Sequence, residues 1–259
     1  MLLIIDTHAH YDDERFDEDR EELLLSMKEK GVEAIVNASA SLKGCYDSLA
    51  LAEKYDFMYF LAGIHPSDAL DLEVDGNFDE VKRMAMHDKC VAVGEIGLDY
   101  YWDEPERSIQ KKWFEAQLNL AKEIKKPINV HSRDAYADTM DIIKSTKSYE
   151  NGGIIHCFSY GVECAKEFLD LGFMLGIGGV LTFKNGKKLK EVVEYAPLDQ
   201  LVLETDCPYL SPEPFRGKRN HSGNIKYVAE KLAEIKNISV EEVIRVTREN
   251  AYRVYKIAR

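Results

Sequence analysis

Six side chains of this sequence have the types and positions of metal ligands. His8 and His10 stand one residue apart after the apolar run "LLII". Glu95 closes "VAVGE", His131 closes "INVH", His156 follows "GGII" and Asp206 closes "LVLETD". Imidazole nitrogens and carboxylate oxygens are the donors that hold divalent first-row metals. Six of them exceed what one tetrahedral ion needs and suit two ions that share a carboxylate. Glu95 is the candidate for the shared ligand, with His8 and His10 completing one ion and His131 and His156 the other. Asp206 would complete a site and hold, or take a proton from, a bound water. Two ions about 3.5–4 Å apart lower the pKa of a bridging water and steady the oxygens of a displacement at phosphorus or carbon. Taken singly, each signal is ordinary: an H-x-H is also a capped loop, and E-T-D is also a helix cap. Their joint recurrence after five different apolar runs carries the argument. Four nitrogen donors suit Zn²⁺, Mn²⁺, Co²⁺ or Ni²⁺ better than Mg²⁺, which prefers oxygen and octahedral geometry.

The elements that position these groups alternate along the chain. Strand-like runs occur at 2–6, 33–38, 58–64, 91–96, 128–131, 153–157, 173–178 and 201–206. Between them lie segments with apolar residues at helical spacing, such as "ERSIQKKWFEAQLNLAKEIKK" and "YGVECAKEFLDLG". Residues 224–258 read as two closing helices, with Ser239 capping the second and Glu242 three residues on. Continuously apolar strands separated by helices indicate a parallel sheet covered on its outer face. Eight such units predict an α/β fold, a (β/α)8 TIM barrel forming one domain over residues 1–259, with an open doubly wound sheet as the alternative. In a barrel the C-terminal strand ends surround one mouth, so all six candidate ligands would converge there. Alternation along a strand puts His8 and His10 on one face.

Composition sets limits on function. The chain has 259 residues, 45% hydrophobic and 31% charged, enough for a sizeable core. No run approaches the roughly 18 apolar residues of a membrane span, and the opening lacks the basic stretch of a secretory leader. Five scattered cysteines without a C-x-x-C pair suit a reducing, cytoplasmic setting. A net charge of −12 argues against a protein that coats nucleic acid through its overall field. It leaves room for a local positive site. Arg216, Lys218 and Arg219 follow the eighth run, and Lys184, Lys187, Lys188 and Lys190 the seventh. Loops there often bind phosphate in barrel enzymes. Tyr100, Tyr101, Trp102 and Phe158 are candidates to stack on unpaired bases. Glu204, two residues before Asp206, would face the same way one layer deeper and accept a hydrogen bond from a ligating histidine. Cys157 and Cys207 each follow a candidate ligand by one residue, so alternation turns them away from the mouth.

Together "IDTHAH", "GIHPSDA", "VGEIGLDYYWD", "INVHSRDA", "IIHCFS", "GVLTFKN", "LVLETDCPYLSPEPFRGKRN" and "TRENAYRVY" resemble the TatD-like metal-dependent deoxyribonucleases, an amidohydrolase-type barrel family, over essentially the whole chain. The resemblance implies a hydrolase with two divalent ions, commonly a 3′→5′ exonuclease on single-stranded DNA or RNA and often assayed with Mg²⁺. It also implies the same six metal residues and a place for His65 near the substrate phosphate. Departures are Ser67 where many members carry a second histidine, Cys207 where alanine is frequent, and "HSG" at 221–223 where Glu-Pro is common. They bear on the substrate rim and spare every ligand. The expected reaction is attack of a metal-bridging hydroxide on the phosphodiester, with Asp206 and Glu95 in catalysis, nucleic-acid ends as substrate, and no membrane or obligate protein partner. Two rivals remain. One is hydrolysis of an amide, lactone or ester such as D-aminoacyl-tRNA on the same barrel; the other is a barrel used as a non-catalytic binding scaffold.

Overall fold

The structure, a computed structural model, describes residues 3–102 and 104–257. Leu2, which opens the first expected strand, and Asp103 lie outside the described residues. Among the described residues eight parallel strands run in chain order around one sheet: β1 (Ile4–Ala9), β2 (Val32–Ala38), β3 (Met58–Ala62), β4 (Cys90–Asp99), β5 (Ile128–Arg133), β6 (Gly153–Ile155), β7 (Met174–Ile177) and β8 (Leu201–Leu203). The ring closes between β1 and the chain just past β8. There Ala9 pairs with Cys207, His10 N–H donates to Cys207 O at 2.7 Å, and Asp206 N–H donates to His8 O at 2.9 Å. This is the TIM-barrel architecture, with the expected parallel order and not the open sheet.

Helices cover the outside: α1 (Arg20–Ser26), α2 (Leu42–Lys54), α3 (Ala69–Asp75), α4 (Phe78–Ala85), α5 (Arg107–Glu123), α6 (Tyr136–Thr146), α7 (Val162–Asp170), α8 (Lys187–Tyr195), α9 (Ile225–Lys236) and α10 (Val240–Tyr255). Their apolar stripes pack on the strands' outward residues, as Phe114 and Leu118 of α5 do beside Val93 and Ile128. Ser239 caps α10, its Oγ accepting the Glu242 N–H at 3.1 Å. No helix among the described residues is long and apolar enough to cross a membrane.

Strand limits differ from the sequence reading where the site is built. β4 runs on past Glu95 to Asp99, so that carboxylate lies inside a strand and not at its end. A register shift against β5 between Val93 and Ile96 re-aims it. Gly97, at φ 148°, lets the two strands touch: a Cβ there would fall 1.8 Å from His131 O. Conversely β6 and β8 stop early, because Cys157 (φ 44°) and Asp206 (φ 55°) turn the chain through the left-handed region. His156 and Asp206 therefore stand just beyond their strands.

Candidate metal centre

The six expected ligands converge at the C-terminal mouth of the barrel, organised around Glu95. Its Oε2 lies 3.3 Å from His8 Nε2 and 3.7 Å from His10 Nε2. Its Oε1 lies 3.0 Å from His131 Nδ1 and 3.2 Å from His156 Nε2. Asp206 Oδ1 sits 3.2 Å from His10 Nε2 and 3.9 Å from His8 Nε2. The His8 and His156 rings stack at 3.6 Å between centroids. Three overlapping donor groups result: His8–His10–Glu95, His8–His156–Asp206 and His65–Glu95–His131.

Buried partners settle which ring nitrogen of each histidine faces the centre. Tyr255 of α10 donates its hydroxyl to Thr7 O and accepts from Asn129 Nδ2, both at 2.9 Å. The Asn129 amide is thereby oriented, and its Oδ1 faces His8 Nδ1 at 3.0 Å. An oxygen there requires N–H on Nδ1, which leaves a lone pair on Nε2. Ala38 O, 2.9 Å from His10 Nδ1, imposes the same tautomer on His10. Two lone pairs then confront each other across 3.1 Å between His8 Nε2 and His10 Nε2. A neutral pair so placed is repulsive; a proton on His10 or a cation between the rings relieves the contact, and the donor set fits a divalent ion.

The outer partners follow the same pattern. Asp99 Oδ2 takes the Nε2–H of His131 at 3.1 Å, directing Nδ1 to Glu95. Glu204, fully buried, stands 3.2 Å from His156 Nδ1 and accepts the Cys157 N–H. It fits because of Gly176, where a Cβ would fall 2.2 Å from Glu204 Oε2. Burial opposes charge throughout; it prevails at His8, whose pKa is lowered, and neighbours prevail at the other five. The imidazoles around Glu95 hold its carboxyl well below the usual range, and His10 does the same for Asp206. Despite burial, Asp206 and Glu95 push His10 up to about 9, and Glu95 and Glu204 push His156 up as well. In the absence of ions, protons occupy the cluster.

His65 differs. Lying beyond β3 at the N-cap of a short turn, it accepts the Ser67 N–H on Nδ1 at 3.1 Å. Burial, then the neighbouring His131, depresses it to about 3. Its neutral ring carries the proton on Nε2, 3.8 Å from Glu95 Oε1, and presents a donor to the cleft.

Two lobes meet over the cluster. One, of about 400 Å³, is lined by His10, Glu95, His131, His156 and Asp206 of the cluster together with Asp12, Asp13, Ser67, Asp99, Trp102, Arg133 and Tyr209. The other, of about 380 Å³, adds Cys157, Ser159, Val180 and Leu210, and shares Arg133 and Tyr209. Arg216, Lys218 and Arg219 line neither. Arg219 pairs with Asp19 at 2.5 Å, Arg216 stacks on Phe183 and Lys218 lies over Phe215. The loop is tied back to its own strand by Asn220, which donates to Thr205 O. Arg133, unremarked in "INVHSRDA", is the guanidinium at the cleft. Cys157, expected to face away, lines the second lobe because its left-handed turn breaks strand alternation. Burial pushes its thiol up to about 12. Cys207 is buried, as expected. Phe158 belongs to the core, whereas Tyr101 and Trp102 are 56% and 68% exposed. Of the three family departures, only Ser67 reaches the cleft; Ser222 is buried and donates to Asp6. Asn129 and Tyr255 were missed as well. The available signals were the two-residue spacings 95/97/99 and 129/131.

A family model described as TatD related DNase matches residues 5–256. The chain is 44% identical to the metal-dependent hydrolase YabD of Bacillus subtilis over 98% of this chain and 100% of that one. It is 35% identical to the metal-dependent hydrolase YcfH of Escherichia coli over 99% and 97%. The crystal structure of YjjV, a TatD homologue from Escherichia coli, superposes with a TM-score of 0.93 at 31% identity, covering both chains fully.

Proposed function

The chain belongs to the TatD-related DNase family and is a metal-dependent hydrolase, and from that premise we propose that it shortens single-stranded DNA or RNA in the 3′→5′ direction by phosphodiester hydrolysis. His8, His10, Glu95, His131, His156 and Asp206 would hold two divalent ions. One observation carries the reading: the two oxygens of Glu95 face different histidine pairs, His8 and His10 on one side and His131 and His156 on the other. That division suits a carboxylate shared between two ions.

Such ions, when bound, supply Lewis acidity at phosphate oxygens and lower the pKa of water. The side chains do the rest. Asp206, ionised and open to the cleft, accepts the proton released by the attacking water. His65 Nε2–H donates to a non-bridging phosphate oxygen. Asn129, Asp99 and Glu204 hold three imidazoles in the ligating tautomer. Two lobes meeting at the cluster suit a polymer lying across it, with one residue on each side of the broken bond.

The charge balance supports the same reading. Asp12, Asp13, Glu95, Asp99 and Asp206 line the first lobe against Arg133. Divalent ions, bringing more charge than the protons they displace, would favour phosphate at such a mouth. The test is to incubate protein loaded with Mn²⁺ or Zn²⁺ with end-labelled single-stranded oligonucleotide, and in parallel with mischarged aminoacyl-tRNA. Mononucleotide release that chelator and Asp206→Asn both abolish is expected. Deacylation without nucleotide release overturns the nuclease reading in favour of an esterase.

A further inference from the structure

We infer that Arg133, Tyr101 and Trp102 form a nucleotide subsite at the edge of the cleft: Arg133 takes a phosphate adjoining the scissile one, and Trp102 stacks on an unpaired base. The inference rests on the nuclease reading and names which residues hold the strand.

Arg133 closes β5, paired in register with Asp99 at the end of β4. On the loops after β1 and β8, Arg15, Arg20 and Arg219 are each matched to a carboxylate, Asp13, Asp17 and Asp19. Arg133 has no ion pair among the described residues. It lies with its Cζ 3.8 Å over the Tyr101 ring and lines both lobes. A stacked guanidinium without an ion pair, beside the candidate metal cluster, is suited to fork onto a phosphate.

The aromatic pair next to it is built rather than adventitious. Tyr101 N–H donates to Asp99 Oδ1 at 2.9 Å, while Asp99 Oδ2 holds His131. One carboxylate therefore fixes both a candidate ligand and the aromatic step. Tyr101 and Trp102 meet edge to face, with centroids 5.0 Å apart at 88°. Trp102 lines the lobe that contains Glu95 and His131, yet 68% of it is open to solvent. A large ring left uncovered beside a free cation matches a ligand with a flat face and a negative charge one bond system apart. An unpaired nucleotide has that form.

The test couples the protein ring to the base it should touch. Single-stranded oligonucleotides carrying one abasic residue, moved along the strand, are assayed with wild type and Trp102→Ala. Base stacking contributes about 1–3 kcal/mol, so at one position base removal should raise KM roughly 10-fold in wild type and have no further effect in Trp102→Ala. Trp102→Ala on intact strands should show the same loss. In parallel, Arg133→Gln should flatten the log–log salt dependence of KM by about 0.7, the contribution of one single-strand phosphate contact. Identical abasic profiles in the two proteins, or an unchanged salt slope, would overturn the subsite. The nuclease reading is checked separately with wild type. Cleavage of methyl p-nitrophenyl phosphate without cleavage of any oligonucleotide would remove that reading, and the subsite with it.

Discussion

Tyr255→Phe tests whether the last helix controls metal binding through a chain of hydrogen bonds. The hydroxyl is buried, donating to Thr7 O and accepting from Asn129 Nδ2 at 2.9 Å each. Its removal leaves both partners without a replacement in a dry interior. At about 1 kcal/mol for each lost bond the protein should lose about 2 kcal/mol of stability. For a chain of this size that is roughly 4–8 °C in Tm. Stability alone would not distinguish a structural tyrosine from a positioning one. The distinguishing consequence lies one step further. Without the hydroxyl nothing orients the Asn129 amide, so its NH2 can turn toward His8 Nδ1. The imidazole then shifts its proton to Nε2 and loses the lone pair that faces His10 across 3.1 Å. Loss of such an orienting partner weakens metal binding by about 10–100-fold. Chelator competition with Zn²⁺ or Mn²⁺, read beside thermal unfolding with and without the ion, separates the two effects. A lower Tm with ion affinity within twofold of wild type would refute the tautomer argument.

Three further outcomes are expected. Glu95→Ala should remove both ions by elemental analysis, whereas His10→Ala should deplete mainly one; equal retention in the two variants would refute a shared carboxylate. Glu204→Gln keeps an oxygen for the Cys157 N–H but removes the charge beside His156 Nδ1, and should weaken ion binding about 10-fold as read by chelator competition. Proton competition gives opposite pH trends with and without ions. Burial lowers the His10 pKa, but Asp206 and Glu95 raise it from the ordinary 6.5 to about 9, so below about 9 an incoming ion must expel a proton. Ion affinity should therefore fall by about tenfold per pH unit for each proton displaced as pH drops. The ion-free protein behaves inversely: the stabilisation from His10 is complete below 6.5 and is lost as pH rises through about 9. Calorimetric titration in buffers of different ionisation enthalpy and chelated melting curves from pH 6 to 9 would show both trends, and parallel trends would contradict the proton-filled cluster.

The convergence of the six candidate ligands was legible because a parallel barrel puts the ends of all its strands at one mouth, so chemical type after an apolar run was enough to bring them together. The strand limits were less legible. Glu95 reads as a terminus only because "GEIG" brings a glycine on each side, yet Gly97 serves close strand contact and β4 continues. Asn129 and Tyr255 were illegible for another reason. An asparagine inside "PINVH" and a tyrosine in an amphipathic helix are equally consistent with core packing, and their meaning appears only when 126 residues of separation close to 2.9 Å. Rim charges were the hardest to place, since a basic run states its charge but not its partner. Arg219 finds Asp19 across 200 positions, while Arg133 in a strand end is left unmatched beside the cleft. On the proposed nuclease reading, that asymmetry bears on how an acidic chain would accept an anionic substrate. In the basic loop after β8, Arg219 neutralises Asp19 while Arg216 and Lys218 lie on aromatic rings away from the cleft, so attraction for phosphate would fall to Arg133 and to whatever cations Glu95 gathers. Were the substrate a phosphodiester, binding of substrate and of metal would be coupled electrostatically, since divalent ions would bring more positive charge beside the site's carboxylates than the protons they displace.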